Sequence, residues 1–185
     1  MLGRAGQDAN PEMKTKVARF AGKLCLALEK QVGAYMKPLV DALTLNLQHQ
    51  HSKVRKQTLI GLKDVLACKG AEPYLQGSAM AQLRFTMNDR SQDVRAQFYD
   101  VLFHWMQKIE IHYLKQYEAD FVQFLLNGIA EENLDISPRC VKFLEEHGTR
   151  MKEALIALGD EVDDEQKAVA HNEDEKMTQD GQIVS

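Results

Sequence analysis

Two histidines, His49 and His51, form a His-x-His sequence and are the first candidates for chemistry, because imidazole is a common metal ligand. A zinc site needs three or four ligands with converging geometry, and no cysteine or further histidine lies at motif spacing from this pair. The sequence therefore favours turn histidines that hydrogen-bond the loop. We expect no metal ion and no cofactor.

The three cysteines, Cys25, Cys68 and Cys140, are the candidates for nucleophilic chemistry. A catalytic thiol needs a partly exposed, electropositive setting with a nearby histidine, and the sequence indicates none. A phosphate-binding glycine loop and a nucleophile elbow are also absent from the sequence. We therefore expect buried structural thiols and no enzymatic activity. The odd number of cysteines and the lack of an apolar secretory segment at the first residues predict a reducing, cytoplasmic location.

A basic cluster raises nucleic-acid binding as an alternative. Four basic residues crowd one predicted helix, namely Lys53, Arg55, Lys56 and Lys63. The equivalent helix about one repeat later carries Gln92, Gln97 and Gln107 instead, so a continuous basic track does not form. Residues 1–159 hold 21 basic and 18 acidic side chains, which is far from the concentrated charge of a nucleic-acid binder. The sequence therefore disfavours nucleic acid as a partner.

An internal repeat positions these residues. Val54-Arg55 recurs as Val94-Arg95, which is 40 residues later and at the lower edge of the HEAT and armadillo period. Apolar residues spaced by four mark the first, or A, helices: Leu39, Leu43 and Leu47, then Ala79, Leu83 and Met87, then Phe121, Leu125 and Ile129. The second, or B, helices repeat in the same way: Met13, Val17, Ala21 and Leu24; Val54, Thr58, Leu62 and Val65; Val94, Phe98, Leu102 and Trp105; Ile136, Cys140, Leu144 and His147. This spacing is typical of amphipathic helices.

The repeat predicts an all-α fold, an α-solenoid of HEAT-like antiparallel helix pairs with three full repeats and an N-terminal half repeat. A B helix is expected over 11–32, followed by pairs over 35–68, 74–110 and 114–147, with Gly148 at a helix end and a short further helix from 151 to 158. We expect a flexible segment over 1–10, the solenoid over 11–158 and an acidic disordered tail over 159–185. Because the chain opens on an unpaired B helix, we expect it to be a fragment, the product of a truncated gene, or one piece of a longer solenoid.

The turns between A and B helices resemble the HEAT consensus, in which an acidic residue stands six positions before an arginine. Asp89 and Arg95 match that pattern, and Arg55 occupies the arginine position one repeat earlier. The resemblance implies a structural ladder of hydrogen bonds from repeat to repeat. His49 replaces the acidic residue before Arg55, and Ser137 replaces the arginine after Glu131. The ladder is therefore expected to be incomplete, with one good rung.

The stretch from Leu45 to Arg55, Leu-Asn-Leu-Gln-His-Gln-His-Ser-Lys-Val-Arg, together with Phe143 to Gly148, is similar to the HEAT-repeat axonemal dynein assembly factors. The likeness in repeat type covers about residues 11 to 158. It implies a cytoplasmic protein of ciliated or flagellated cells that helps to pre-assemble dynein arms for motile cilia. The implied partners are axonemal dynein chains and other assembly factors or chaperones, with no cofactor, no small-molecule substrate and no membrane.

Tyr99 and Phe103 are the predicted anchors for a client protein. They lie four residues apart on the third B helix, beside a core stripe that Phe98, Leu102 and Trp105 already supply. In HEAT proteins the B helices line the inner surface, and aromatic residues are enriched at interface hot spots. Lys56 and Lys63 are the predicted charged contacts on the preceding B helix. The alternative for the two rings is packing against a neighbouring helix.

The expected function is thus that of a scaffold or adaptor that binds client proteins. The favoured process is the assembly of axonemal dynein arms. A general HEAT-repeat scaffold of the phosphatase-regulatory or transport-receptor type is the alternative, and a helical-repeat nucleic-acid binder is the less favoured one.

Overall fold

The computed structural model describes residues 10–28 and 36–157, and within these ranges the chain forms helices and no strands. The helices are α1 (Pro11–Leu28), α2 (Lys37–Asn46), α3 (Ser52–Leu66), α4 (Ser78–Thr86), α5 (Gln92–Lys108), α6 (Ile111–Gln116) and α7 (Glu118–Ile129). A short 3-10 helix, Glu72–Leu75, precedes α4. Residues 136–144 are also helical, and we call them α8. No helix in this part of the chain is long and apolar enough to cross a membrane.

The helices stack in two rows. The B helices α1, α3 and α5 contact one another in sequence, and the A helices α2 and α4 do the same. Each A helix also packs on the B helix that follows it, α2 on α3 and α4 on α5. The predicted all-α solenoid of HEAT-like helix pairs is confirmed by this arrangement.

Contacts along the chain define two compact units, residues 1–144 and 145–185. The first unit contains α1 to α8. Of the second unit, residues 145–157 are described, and they are helical.

The repeat positions form the core. Leu39, Leu43 and Leu47 of the first A helix are at most 5% exposed, and Val94, Phe98, Leu102 and Trp105 of α5 are at most 1% exposed. Met13 departs from the pattern, because it is 42% exposed near the start of α1. Trp105 also connects two layers, since its indole N–H donates a hydrogen bond to the carbonyl of Lys63 at 3.0 Å.

Small residues let α1 and α3 approach closely. Ala18 and Ala21 of α1 are fully buried, and Gly22 faces the Asp64 side chain of α3. A Cβ atom placed on Gly61 would come within 2.5 Å of the Ala18 carbonyl oxygen. Glycine at position 61 is therefore required by the distance between the two backbones.

Two predicted boundaries were wrong. The third A helix is divided into α6 and α7 at Tyr117, whose hydroxyl donates to the carbonyl of Glu72 at 3.2 Å. Gly148 does not end a helix, because residues 145–157 are helical throughout. The predicted end of the first helix beyond residue 28, most of the flexible segment over 1–10 and the acidic tail over 159–185 lie outside the described residues.

We predict that Gly61→Ala destabilises the fold by about 1–3 kcal/mol, because the added methyl group must displace the α1 backbone. The matched control is Gly148→Ala, another helical glycine, where a Cβ atom would have no neighbour within 4 Å. The control should be neutral or stabilising by up to about 1 kcal/mol. Urea unfolding measures both, and equal effects of the two substitutions would contradict this account of the α1–α3 contact.

Candidate functional site

Arg55 joins two A–B turns. Its Nε and Nη2 atoms donate to the two carboxylate oxygens of Asp89 at 2.6 and 2.7 Å. Its Nη1 atom donates to the carbonyl of His49, in its own turn, at 2.7 Å. Both side chains are at least nine-tenths buried. One arginine thus satisfies the polar backbone of its own repeat and a buried carboxylate of the next.

Arg95 repeats this geometry one layer on. Its Nε and Nη2 atoms donate to the Glu131 carboxylate at 2.9 and 2.8 Å. Its Nη1 atom donates to the carbonyl of Asp89 at 2.8 Å. The Asp89 carboxylate also accepts the amide of Ser91 at 2.8 Å and so closes the turn in which it lies. Arg55, Asp89 and Arg95, the three predicted ladder residues, therefore belong to one continuous network.

The ladder is more complete than the expected single rung. The HEAT consensus places an acidic residue six positions before each arginine, but Arg55 and Arg95 bond the backbone carbonyl at that position and not its side chain. Its carboxylate partner comes from the following repeat, so His49 does not interrupt the Arg55 rung. The residue one repeat before Arg55 is Lys14, and its Nζ atom donates to Asn46 Oδ1 at 2.7 Å. This third connection is a lysine–amide version of the same contact.

The ladder sets the charge state of Asp89. Burial alone raises the pKa of this carboxyl, but hydrogen bonds from Arg55 and from the Ser91 amide outweigh it, so the pKa is lowered overall. The carboxylate is therefore charged at neutral pH, as an arginine rung requires.

Tyr99 and Phe103 are not on an accessible flank, and that part of the prediction was wrong. They are 1% and 3% exposed. The Phe103 ring stacks on Phe143 with 4.2 Å between centroids, and the Arg139 guanidinium lies 4.5 Å from the Phe103 centroid. Burial also raises the pKa of the Tyr99 hydroxyl. Neither ring can contact a partner without local unfolding of this layer.

Lys56 and Lys63 both lie on α3 and are partly exposed. The Lys63 ammonium is 3.4 Å from the Asp64 carboxylate. The structure brings neither of them together with Tyr99 or Phe103 into one exposed surface, because both rings are buried.

The two turn histidines interact locally. The His51 amide donates to His49 Nδ1 at 3.1 Å, and the ring centroids are 5.3 Å apart. Burial lowers the pKa of His49, and the nearby charge of Lys14 acts in the same direction. Among the residues described, no group of three or more metal-binding side chains could hold a metal ion.

The A helices carry an exposed apolar pair that is not among the predicted client contacts. Leu45 of α2 is 61% exposed and Phe85 of α4 is 74% exposed, and the two positions are 40 residues apart. Phe85 borders a cavity of about 320 Å³ with Gln48 and Gln82, whose side-chain amides hydrogen-bond each other at 2.8 Å. We call Leu45 and Phe85 the A-helix pair. The sequence could have predicted this exposure, because Leu45 and Phe85 each lie two residues after a core position, Leu43 or Leu83, and so fall on another face of the helix.

Taken together, the two helix rows and the arginine ladder define a helical-repeat solenoid. A family model described as dynein axonemal assembly factor 5-like, TPR repeats, matches residues 1–155. The chain belongs to this family, and the resemblance to dynein assembly factors is confirmed. The family description uses the term TPR, whereas the period of 40 residues in this chain exceeds the 34 of that repeat and lies at the lower edge of the HEAT range. No curated protein matches the sequence.

We predict that Arg55→Ala destabilises the fold by about 3–5 kcal/mol, because it leaves the Asp89 carboxylate buried without its partner. Arg84→Ala is the matched control. Arg84 and Asp120 approach to 2.6 Å and also connect two repeats, but the Arg84 side chain is 59% exposed. The control should cost about 0–1 kcal/mol. Thermal unfolding compares them, and similar losses would show that burial of the rung does not matter.

The stability contributed by Asp89 should depend on pH. A carboxyl with a lowered folded pKa stabilises the fold above its unfolded value, near 3.9, and this stabilisation is lost as the pH falls through the folded value. The difference in unfolding free energy between the wild type and Asp89→Asn should be constant above about pH 5 and shrink below about pH 4. Urea unfolding at a series of pH values measures it. A difference that stays the same down to pH 3 would contradict the assignment.

Proposed function

We propose that this chain is a non-catalytic scaffold that binds axonemal dynein chains during their assembly in the cytoplasm of cells that build motile cilia. The observation that carries the proposal is family membership over residues 1–155. A stack of repeats that contact only their neighbours presents an extended surface, which suits a large and partly folded client. Other assembly factors or chaperones are the further partners that we propose.

The A-helix pair is the contact surface that we favour. An aromatic side chain that is 74% exposed has no structural role of its own in the core, and Leu45 repeats its position one layer earlier. The cavity beside Phe85 carries two side-chain amides that can hydrogen-bond a peptide backbone. An apolar anchor next to amide groups is a common composition of a protein-binding site. Lys56 and Lys63 on α3 are our second proposed contact region.

The first test is affinity capture of the tagged chain from the cytoplasm of ciliating cells, with mass spectrometry of retained proteins at physiological salt. Axonemal dynein chains are the expected result. We predict that Phe85→Ser lowers their recovery roughly tenfold or more, as loss of an interface hot spot does. Because Phe85 is exposed, the melting temperature should change little.

Two variants serve as controls. Leu134→Ser removes an apolar side chain that is 87% exposed but lies in the loop after α7, and it should leave recovery unchanged. The double variant Lys56→Ser with Lys63→Ser tests the second region. If recovery of dynein chains fell in this variant and not in Phe85→Ser, the contact would lie on the B helices instead. Recovery of phosphatase subunits, transport cargo or nucleic acid in place of dynein chains would overturn the proposed function.

A further inference from the structure

Two of the three thiols lie together. Cys25 is near the end of α1, and Cys68 is two residues beyond the end of α3. They are 0% and 8% exposed, and the Cys68 thiol donates at 3.5 Å to the carbonyl of Asp64, whose side chain faces Gly22 of α1. Both thiols are free, and both line one cavity of about 290 Å³. Cys140, the remaining thiol, is equally buried but lies at the contact with Gly128.

The cavity beside the pair has a polar rim. Asp64, Lys69, His104 and Lys108 line it with the two cysteines. Lys69 and Lys108 are exposed, and the Lys69 ammonium lies 3.9 Å from the Glu110 carboxylate. A low-molecular-mass disulfide that carries carboxylates, of the glutathione type, matches both the thiols and these charges.

We propose that Cys25 and Cys68 form a reversible disulfide when the chain meets such an oxidant, and that this bond ties the end of α1 to the end of α3. The pair is thus a modification site, and the proposal is independent of the client that the solenoid binds.

The exchange takes two steps. The Cys68 thiol loses its proton to solvent, and the thiolate attacks one sulfur of the disulfide, so that one thiolate leaves and takes up a proton. The Cys25 thiolate, formed by loss of its proton, then attacks the Cys68 sulfur and displaces the second thiolate, which is protonated in turn. The protein dithiol is oxidised to a disulfide, and one small disulfide is reduced to two thiols.

Cys68 is the thiol that reacts first. It lies in a turn, is the less buried of the two, and requires only local opening of that turn to reach the oxidant. Burial raises the pKa of Cys25 to about 12 and also raises the pKa of Cys68. The thiolate fraction is therefore small at neutral pH, and the exchange should be faster at pH 9 than at pH 7.

The test treats the purified chain with oxidised glutathione and follows its intact mass and its peptide map. The expected result is a loss of the mass of two hydrogen atoms and a cross-link between the peptides that contain Cys25 and Cys68. Dithiothreitol should reverse both changes. Because the bond closes a long loop in the unfolded chain, the oxidised form should also melt at a higher temperature.

Single variants distinguish disulfide formation between Cys25 and Cys68 from simple modification of an accessible thiol. Cys25→Ala should stop at a mixed disulfide on Cys68 and gain the mass of one glutathionyl group, whereas Cys68→Ala should resist modification of Cys25. Cys140 in the wild type is the internal control and should remain a free thiol in the same digest. A native chain that keeps all three thiols free, gains a stable mixed disulfide without the cross-link, or links through Cys140 would overturn the proposal. Circular dichroism verifies that each variant is folded.

Discussion

The arginine ladder at the A–B turns is the interaction on which the rest of the structure depends. Each repeat of a solenoid contacts only its neighbours, so the alignment of successive layers must be set locally. Arg55 and Arg95 do this by bonding the carbonyls of their own turn and the carboxylate of the next. Without these donors, each turn would bury polar groups that have no partner, which is costly in a packed interior.

Much of the fold could be predicted because the repeat presents the same evidence several times. A four-residue spacing such as Leu39, Leu43 and Leu47 is weak in a single helix, but it recurs in three A helices and identifies the buried side of each. Trp105 is predicted to lie inside the stack for the same reason, since the equivalent positions in the two preceding B helices hold Leu24 and Val65. The break at Tyr117 could not be predicted in this way, because the residue that its hydroxyl contacts, Glu72, lies 45 residues earlier and helical spacing does not show such a contact.

The candidate site was predicted less well, for a physical reason. Helical spacing shows which residues share a face of one helix, but not which neighbouring side chain covers that face. Phe103 lies beside the core stripe of α5, and it is buried because Phe143 and Arg139 of α8 pack on it. Phe85 is an aromatic residue of the kind that usually lies in the core. It is exposed because it lies two positions away from the buried Leu83 and so faces away from the core. The sequence also did not show that each arginine bonds the carboxylate of the following repeat, because the consensus pattern pairs residues within one turn.

The two ends of the α1–α3 contact are held by different chemistry. At the start of these helices the ladder continues only as Lys14 on a neutral amide, Asn46, which is a weaker acceptor than the carboxylates of the later rungs. At their far end Cys25 and Cys68 line one cavity. Between them, Gly61 and Ala18 bring the backbones together without large side chains that could interlock. Among the described residues, the first layer therefore has close contact but no arginine–carboxylate rung, and the proposed bond between Cys25 and Cys68 would add a covalent restraint there.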